Sequence, residues 1–423
     1  LTDKSDNLVK WSFPVIQLSP GKAMIVFASE KRRSNPDENL HTNFKLNSEG
    51  EYLALIDKDG LTTLQEFAPS FPKQVVDISY GFKNSNDAES KGYFSPPSPG
   101  SVNGASFQNP IPLVEFSHSS QTFTEPFELV LSGAGPGQTI HVETNVDSSG
   151  STPEPNENSP KYERPILVKN SPDRSLQVRA RIIDADGTQG ETVSATFIYL
   201  EEENVNNAER YIGEPIRNFT SDLPIVVLDN FNRRRPSSDR DMHISIYEPK
   251  AEGDEKRASV RNKPDLETRG NMRQRGSSTG SWEKYSLALE FRDEVDEDRD
   301  LGVLGMPPQS DWVLSGRWEF DRALMRNPLM YELSRKIGRY APRTRFVEVF
   351  SNTDDGVLEA QDYMGVYSLI EKVKRDPNRV DVEKLSPSDT SEPAITGGYM
   401  FKKDRLDPGD RGLRVQSMGS LGW

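Results

Sequence analysis

The 423-residue chain has no cysteine and only four histidines. The first absence excludes disulfides, cysteine-ligated zinc, iron–sulfur clusters and thiol catalysis. The histidines (His41, His118, His141, His243) are scattered with no i, i+4 pair, so a zinc site is not expected. Apolar residues make up only 34% of the chain, and no run approaches the roughly 18 residues a spanning helix needs. Positive charge is also short: 52 Lys and Arg face 66 Asp and Glu, a net −14. That balance argues against nucleic acid as a partner, because phosphate backbones are held by a basic excess. No paired carboxylates in a barrel pattern are present.

With 30 Gly and 30 Pro, the chain is rich in turns. Its length predicts two to four domains with small cores. Residues 1–94 alternate apolar and polar positions in short runs. Ala23–Ala28, Tyr52–Ile56 and Val75–Tyr80 read as strands, and Asp57-Lys58-Asp59-Gly60 as a hairpin turn into Leu61–Leu64. Residues 95–112 hold the Pro-rich stretch Ser95–Gly100 and read as a linker or an extended terminal strand. Residues 113–200 return to strands at Phe127–Leu131, Thr139–Thr144, Leu176–Ile183 and Thr196–Leu200. Asp184-Ala185-Asp186-Gly187 reads as a hairpin turn, since it lacks the rest of a calcium loop. Residues 201–222 are a polar connector with one helical turn.

Residues 223–423 have an α+β texture. Leu223–Leu228, Lys284–Phe291, Arg345–Phe350 and Gly365–Ile370 read as strands, the last two paired. Leu324, Leu329, Met330, Leu333 and Ile337 lie at helical spacing within Asp321–Ile337, and Gly338 is a plausible stop. Asp321 sits like a helix N-cap, and Asp311 like a turn cap before a buried Trp312. The acidic run Asp293–Asp300 reads as a solvated loop.

Three resemblances follow from particular residues. Trp11-Ser12-Phe13-Pro14, His41–Leu46 and Gly50–Leu55 give region 1–94 a likeness to a bacterial lamin-tail domain lacking its first strand. Glu125–Leu129, Pro136–Ile140, Val178–Arg181 and Thr196–Tyr199 make 113–200 resemble the chitobiase C-terminal-like module, an immunoglobulin-like sandwich. Residues 223–423 resemble the N-terminal part of a CotH-family kinase-like domain. The motifs are Arg275-Gly276-Ser277-Ser278 with Lys284–Leu287, Leu304–Pro307 with Asp311–Leu314, Arg326-Asn327, Tyr340–Arg343 with Val347–Val349, and Gly365–Glu371. The fold class expected is therefore two all-β immunoglobulin-like sandwiches followed by a truncated α+β kinase-like domain.

The last resemblance implies ATP and Mg²⁺ as cofactors. Phosphoryl transfer needs a cation on the phosphates, metal-holding carboxylates and a positioned hydroxyl acceptor. Lys284, on its expected strand, is the candidate cation, with Glu332 of the helix holding it. Arg275, Gly276, Ser277 and Ser278 are candidates to cradle phosphate through backbone N–H groups. Glu371, ending a strand, is the candidate hinge residue at the adenine edge. Each has a plain structural reading: a surface lysine, an exposed helix residue, a tight turn, a strand cap. No catalytic or metal-ligating residue is assigned, because Asp404, Asp407 and Asp410 sit in a Pro/Gly loop unlike the family's acidic segments. Both ends are expected to be cut from a longer protein, with the catalytic carboxylates beyond Trp423 and this stretch inactive alone. The resulting expectation is an exported bacterial surface protein whose kinase domain phosphorylates Ser or Thr of a surface or coat protein, the β-modules serving attachment or partner binding. The alternative is a non-catalytic surface adhesion or cell-wall-glycan-binding protein with a degenerate kinase-like domain.

Overall fold

The computed structural model describes residues 1–400 except 20, 75–77, 83–90, 95–96, 105, 108–110, 146–151, 170–174, 202–211, 232–234, 253–254, 277–279, 281, 317–318, 320, 354–355, 386–388, 393 and 397. The chain is mostly β, as its short alternating runs predict. The first region consists of small sheets. Leu53–Ile56 and Thr63–Phe67 form the expected hairpin. Ser79–Phe82, Lys91–Phe94 and Ser106–Phe107 form a three-stranded sheet, so part of residues 95–112 pairs as a strand, the second of the two readings given for that stretch. Trp11, Leu40 and Phe44 form a small core there.

The second region has strands at Gln121–Phe123, Thr139–Thr144, Leu176–Ile183 and Val193–Leu200 in one sheet. Val178, Ala180 and Ile182 of the third strand face its core with Leu129, Ile140 and Phe197. The alternate residues Gln177 and Arg179 are also buried, Gln177 among Asn145 and Thr196 of the same region and Arg179 against Glu294 of the third region. Residues 184–188 form the expected turn, closed by hydrogen bonds from Gly187 N to Asp184 O and from Asp184 N to Thr188 O.

The third region is a closed barrel of seven strands. In chain order these are β1 (Ile225–Asp229), β2 (Arg240–Tyr247), β3 (Leu266–Arg275), β4 (Ser286–Arg292), β5 (Asp311–Ser315), β6 (Thr344–Asn352) and β7 (Tyr363–Glu371). The spatial order is β1-β2-β3-β4-β5-β7-β6, and β6 returns to β1 in parallel while every other neighbour is antiparallel. Because side chains alternate along a strand, every second residue fills the interior. Val226, Leu228, Met242, Ile244, Met272, Leu287, Leu289, Phe291, Trp312, Leu314, Val347 and Val349 do so. Val303 and Met306 of the hairpin between β4 and β5 complete that core.

The sandwich is joined to the outer face of this barrel. Tyr199 and Leu200 pair in parallel with Val357 and Leu358, carrying the sandwich sheet into the third region. Ile198 and Leu200 share a core with Ile225, Val227, Tyr247 and Phe350. Ser175 donates to Asp229 at 2.6 Å, and Thr122 donates to the Val260 carbonyl at 2.7 Å. Arg179 donates to the Thr152 carbonyl at 2.8 Å and also to the Glu294 carbonyl, while Ser194 donates to the Glu294 carboxylate at 2.7 Å. The acidic run read as a solvated loop is thus a contact surface, because a buried arginine offers it charge-assisted bonds.

The helix, α1 (Arg326–Lys336), lies inside the expected span and stops at Gly338, which adopts φ +80° and bonds its N–H to the Arg335 carbonyl. Asp321 does serve the first turn, accepting the Arg326 N–H at 2.6 Å. The helix buries no residue among those described, and Leu329, Met330, Leu333 and Ile337 are exposed. No helix among the described residues is long and apolar enough to cross a membrane.

Candidate functional site

One end of the barrel gathers the start of β4, the end of β5 and the start of β7. Lys284 sits there, in the bend two residues before β4 and not on the strand itself. Its Nζ donates to the Val366 carbonyl at 2.6 Å and stands 4.8 Å from the centroid of the Tyr367 ring. Two glycines make the room. A Cβ at Gly365, whose φ is +87°, would come within 3.1 Å of Lys284 Nζ; one at Gly316 would meet the Tyr367 ring at 2.6 Å and Lys284 Cγ at 3.0 Å. An ammonium has three donors, and Val366 takes one.

Burial lowers the Lys284 pKa below the ordinary lysine value, while the charges of Glu348 and Glu319 act in the opposite sense. Glu348 is held by Ser221 at 3.0 Å and by the Tyr363 hydroxyl at 2.6 Å. One oxygen of Glu319 is buried with no hydrogen-bond partner among the described residues. The expected pairing of Lys284 with Glu332 is not what the chain forms. Glu332 is exposed on α1 and pairs with Arg335 and, at 3.9 Å, Lys336. Local i, i+3 and i, i+4 partners satisfy it.

Arg275 ends β3 beside Gly276, whose φ is +100°. Ser277 and Ser278 lie outside the described residues. Arg273 pairs with Asp239 at 3.6 Å.

Glu371 is fully buried at the end of β7, five residues beyond Val366 and so toward the opposite end of the barrel. Its two oxygens accept the Arg343 N–H and guanidinium, each at 2.8 Å. Beside it, Asp311 is the first residue of β5 and not a turn cap. Burial alone would raise its pKa, but the ammonium groups of Lys372 at 2.6 Å and Lys374 at 2.7 Å bring it below the ordinary carboxylate value. Arg379 lies 5.1 Å from the Trp312 ring centroid and donates to the Asp311 and Lys372 carbonyls. These bonds fix the segment after β7 over the barrel end.

The structure therefore brings together Lys284, Gly316, Gly365 and Tyr367, and it keeps Glu332 and Glu371 apart from them. Gly316, Tyr367 and Arg235, described below, were not predicted as site residues, because their role depends on contacts 32 to 83 positions distant that no local pattern encodes. No group of three or more His, Asp or Glu among the described residues is placed to hold a metal ion. Asp404, Asp407 and Asp410 lie outside those residues. The site thus presents a half-buried ammonium, and no described donor set is assigned to Mg²⁺.

A family model, that of the CotH kinase protein, matches residues 272–411, from within β3 to beyond β7. A CotH kinase-family domain is therefore present over that stretch, and the match leaves β1 and β2 of the barrel outside it. No curated protein matches the chain. Among solved structures, a Corynebacterium diphtheriae protein described as membrane anchored is similar at 10% identity, with 56% of this chain and 52% of that chain covered. The chain thus spans about half of that structure, and the TM-score of 0.18 carries no argument about fold.

Proposed function

We propose that the third region binds ATP at the Lys284 end of the barrel as the nucleotide-binding part of a CotH-type protein kinase. In this reading the γ-phosphoryl group goes to a Ser or Thr hydroxyl of a surface or coat protein. The chain works outside the cell, and its lamin-tail-like and chitobiase-like regions serve attachment or partner binding. The observation that carries the reading is Lys284 itself, a half-buried ammonium with donors to spare, set above Tyr367 by two glycines inside the family match. A cation held in a partly dry site interacts with phosphate more strongly than one in bulk water. Mg²⁺, when bound with the nucleotide, would supply charge neutralisation for the phosphates. Lys284 would orient the phosphates, and Tyr367 would close the floor beneath the ammonium.

Calorimetric titration of the chain with MgATP tests this. Lys284→Ala is expected to weaken binding by about tenfold, the loss of one charge-assisted contact of about 1.4 kcal/mol. Equal affinity in the two proteins, or no binding by the unaltered chain, would remove the reading.

A further inference from the structure

Arg235 lies in the connection between β1 and β2, outside the family match, and no sequence pattern singles it out. Its Nε donates to the Gln274 side chain at 2.9 Å near the end of β3. One terminal nitrogen donates to the carbonyls of Gly280 at 2.6 Å and Trp282 at 2.8 Å. Its guanidinium carbon lies 3.9 Å from the centroid of the Tyr285 ring. Trp282 and Tyr285 are the residues two before and one after Lys284. The Tyr285 carbonyl accepts the Tyr367 hydroxyl at 3.0 Å, and Tyr367 is the ring under Lys284. The Gln274 N–H donates to the Pro236 carbonyl at 2.7 Å, tying the two connections together.

We infer that Arg235 is a positioning residue for Lys284: it grips the main chain before the lysine and the ring after it, and so fixes where the ammonium points. A guanidinium suits this work because its planar fork can serve several acceptors while its face stacks on an aromatic ring. A lysine at 235 keeps the charge and loses the fork. The inference rests on Lys284 as the phosphate contact only for its consequence in binding; the positioning itself is testable without nucleotide.

The experiment uses the full chain with Arg235→Ala and Arg235→Lys. The rate at which an amine-reactive acetyl ester modifies each lysine is followed by mass spectrometry, with Lys263 and Lys336 as controls. Both variants are expected to raise Lys284 modification about fivefold and leave the controls unchanged, the equivalent of about 1 kcal/mol of lost restraint. MgATP affinity should fall by a similar factor in both. The inference is overturned if Lys284 reacts at its original rate in both variants, if the controls accelerate as much as Lys284, or if Arg235→Lys matches the unaltered chain. Absence of MgATP binding by the unaltered chain would overturn the nucleotide reading, while the modification rates still decide the role of Arg235.

Discussion

The two β regions that precede the barrel are attached in different ways. The second shares a sheet, an apolar core and buried hydrogen bonds with the barrel. The first has its own small core around Trp11 and, among the described residues, meets the second at a partly exposed ion pair, Lys73 with Glu191 at 3.8 Å. Burial of apolar area is worth about 25 cal/mol per Å², whereas exposed ion pairs contribute about 0–1 kcal/mol. The sandwich and barrel should therefore melt together, and the first region should be free to melt by itself.

The strongest way to break that contrast is to hollow the shared core. Val227→Ala should destabilise the sandwich and barrel together by about 2–3 kcal/mol and leave the first region's transition unchanged, as read by calorimetry of the full chain. Separate shifts in the sandwich and barrel would refute the shared unit.

Acid gives the next largest effect. His243 points from β2 to the outer face and is buried, its Nε2 2.9 Å from Ser245 Oγ and 4.0 Å from Glu267. Burial pulls its pKa from 6.5 down to about 4. The unfolded chain thus binds the proton first, so this residue's contribution is complete above pH 6.5 and is lost as pH falls toward 4. At pH 5 the loss is about 2 kcal/mol. Burial raises the Glu267 pKa, which acts in the opposite sense, so the difference between the profiles of the chain and of His243→Gln isolates the histidine. A difference that does not change between pH 7 and pH 5 would contradict the assignment. At the small end, Lys73→Ala should move no transition by more than about 0.5 kcal/mol in denaturant melts.

Much of this architecture was legible in the sequence, and what was not has a common cause. Apolar residues at every second position located Leu176–Ile183 and both of the paired strands β6 and β7, although both faces of these strands are largely buried. Alternation could not show that β1 meets β6 in parallel more than 120 residues later, which is what closes the barrel. Helical spacing found α1 but implied a buried face that the described residues do not cover. Charge density alone made residues 293–300 look solvated, since Arg179, the partner of Glu294, is 115 positions away. At the site, Lys284 was legible from its motif. Its supports were not, because glycine at 316 and 365 matters only once Tyr367 and Lys284 are placed beside them.

The claim that Lys284 meets the nucleotide phosphates is tested most directly by an acyl-phosphate derivative of ATP, which acylates lysines near the bound phosphates. After digestion and mass spectrometry, the account predicts modification centred on Lys284 and suppressed by excess MgATP. Modification spread over exposed lysines such as Lys336, with no protection by MgATP, would contradict it.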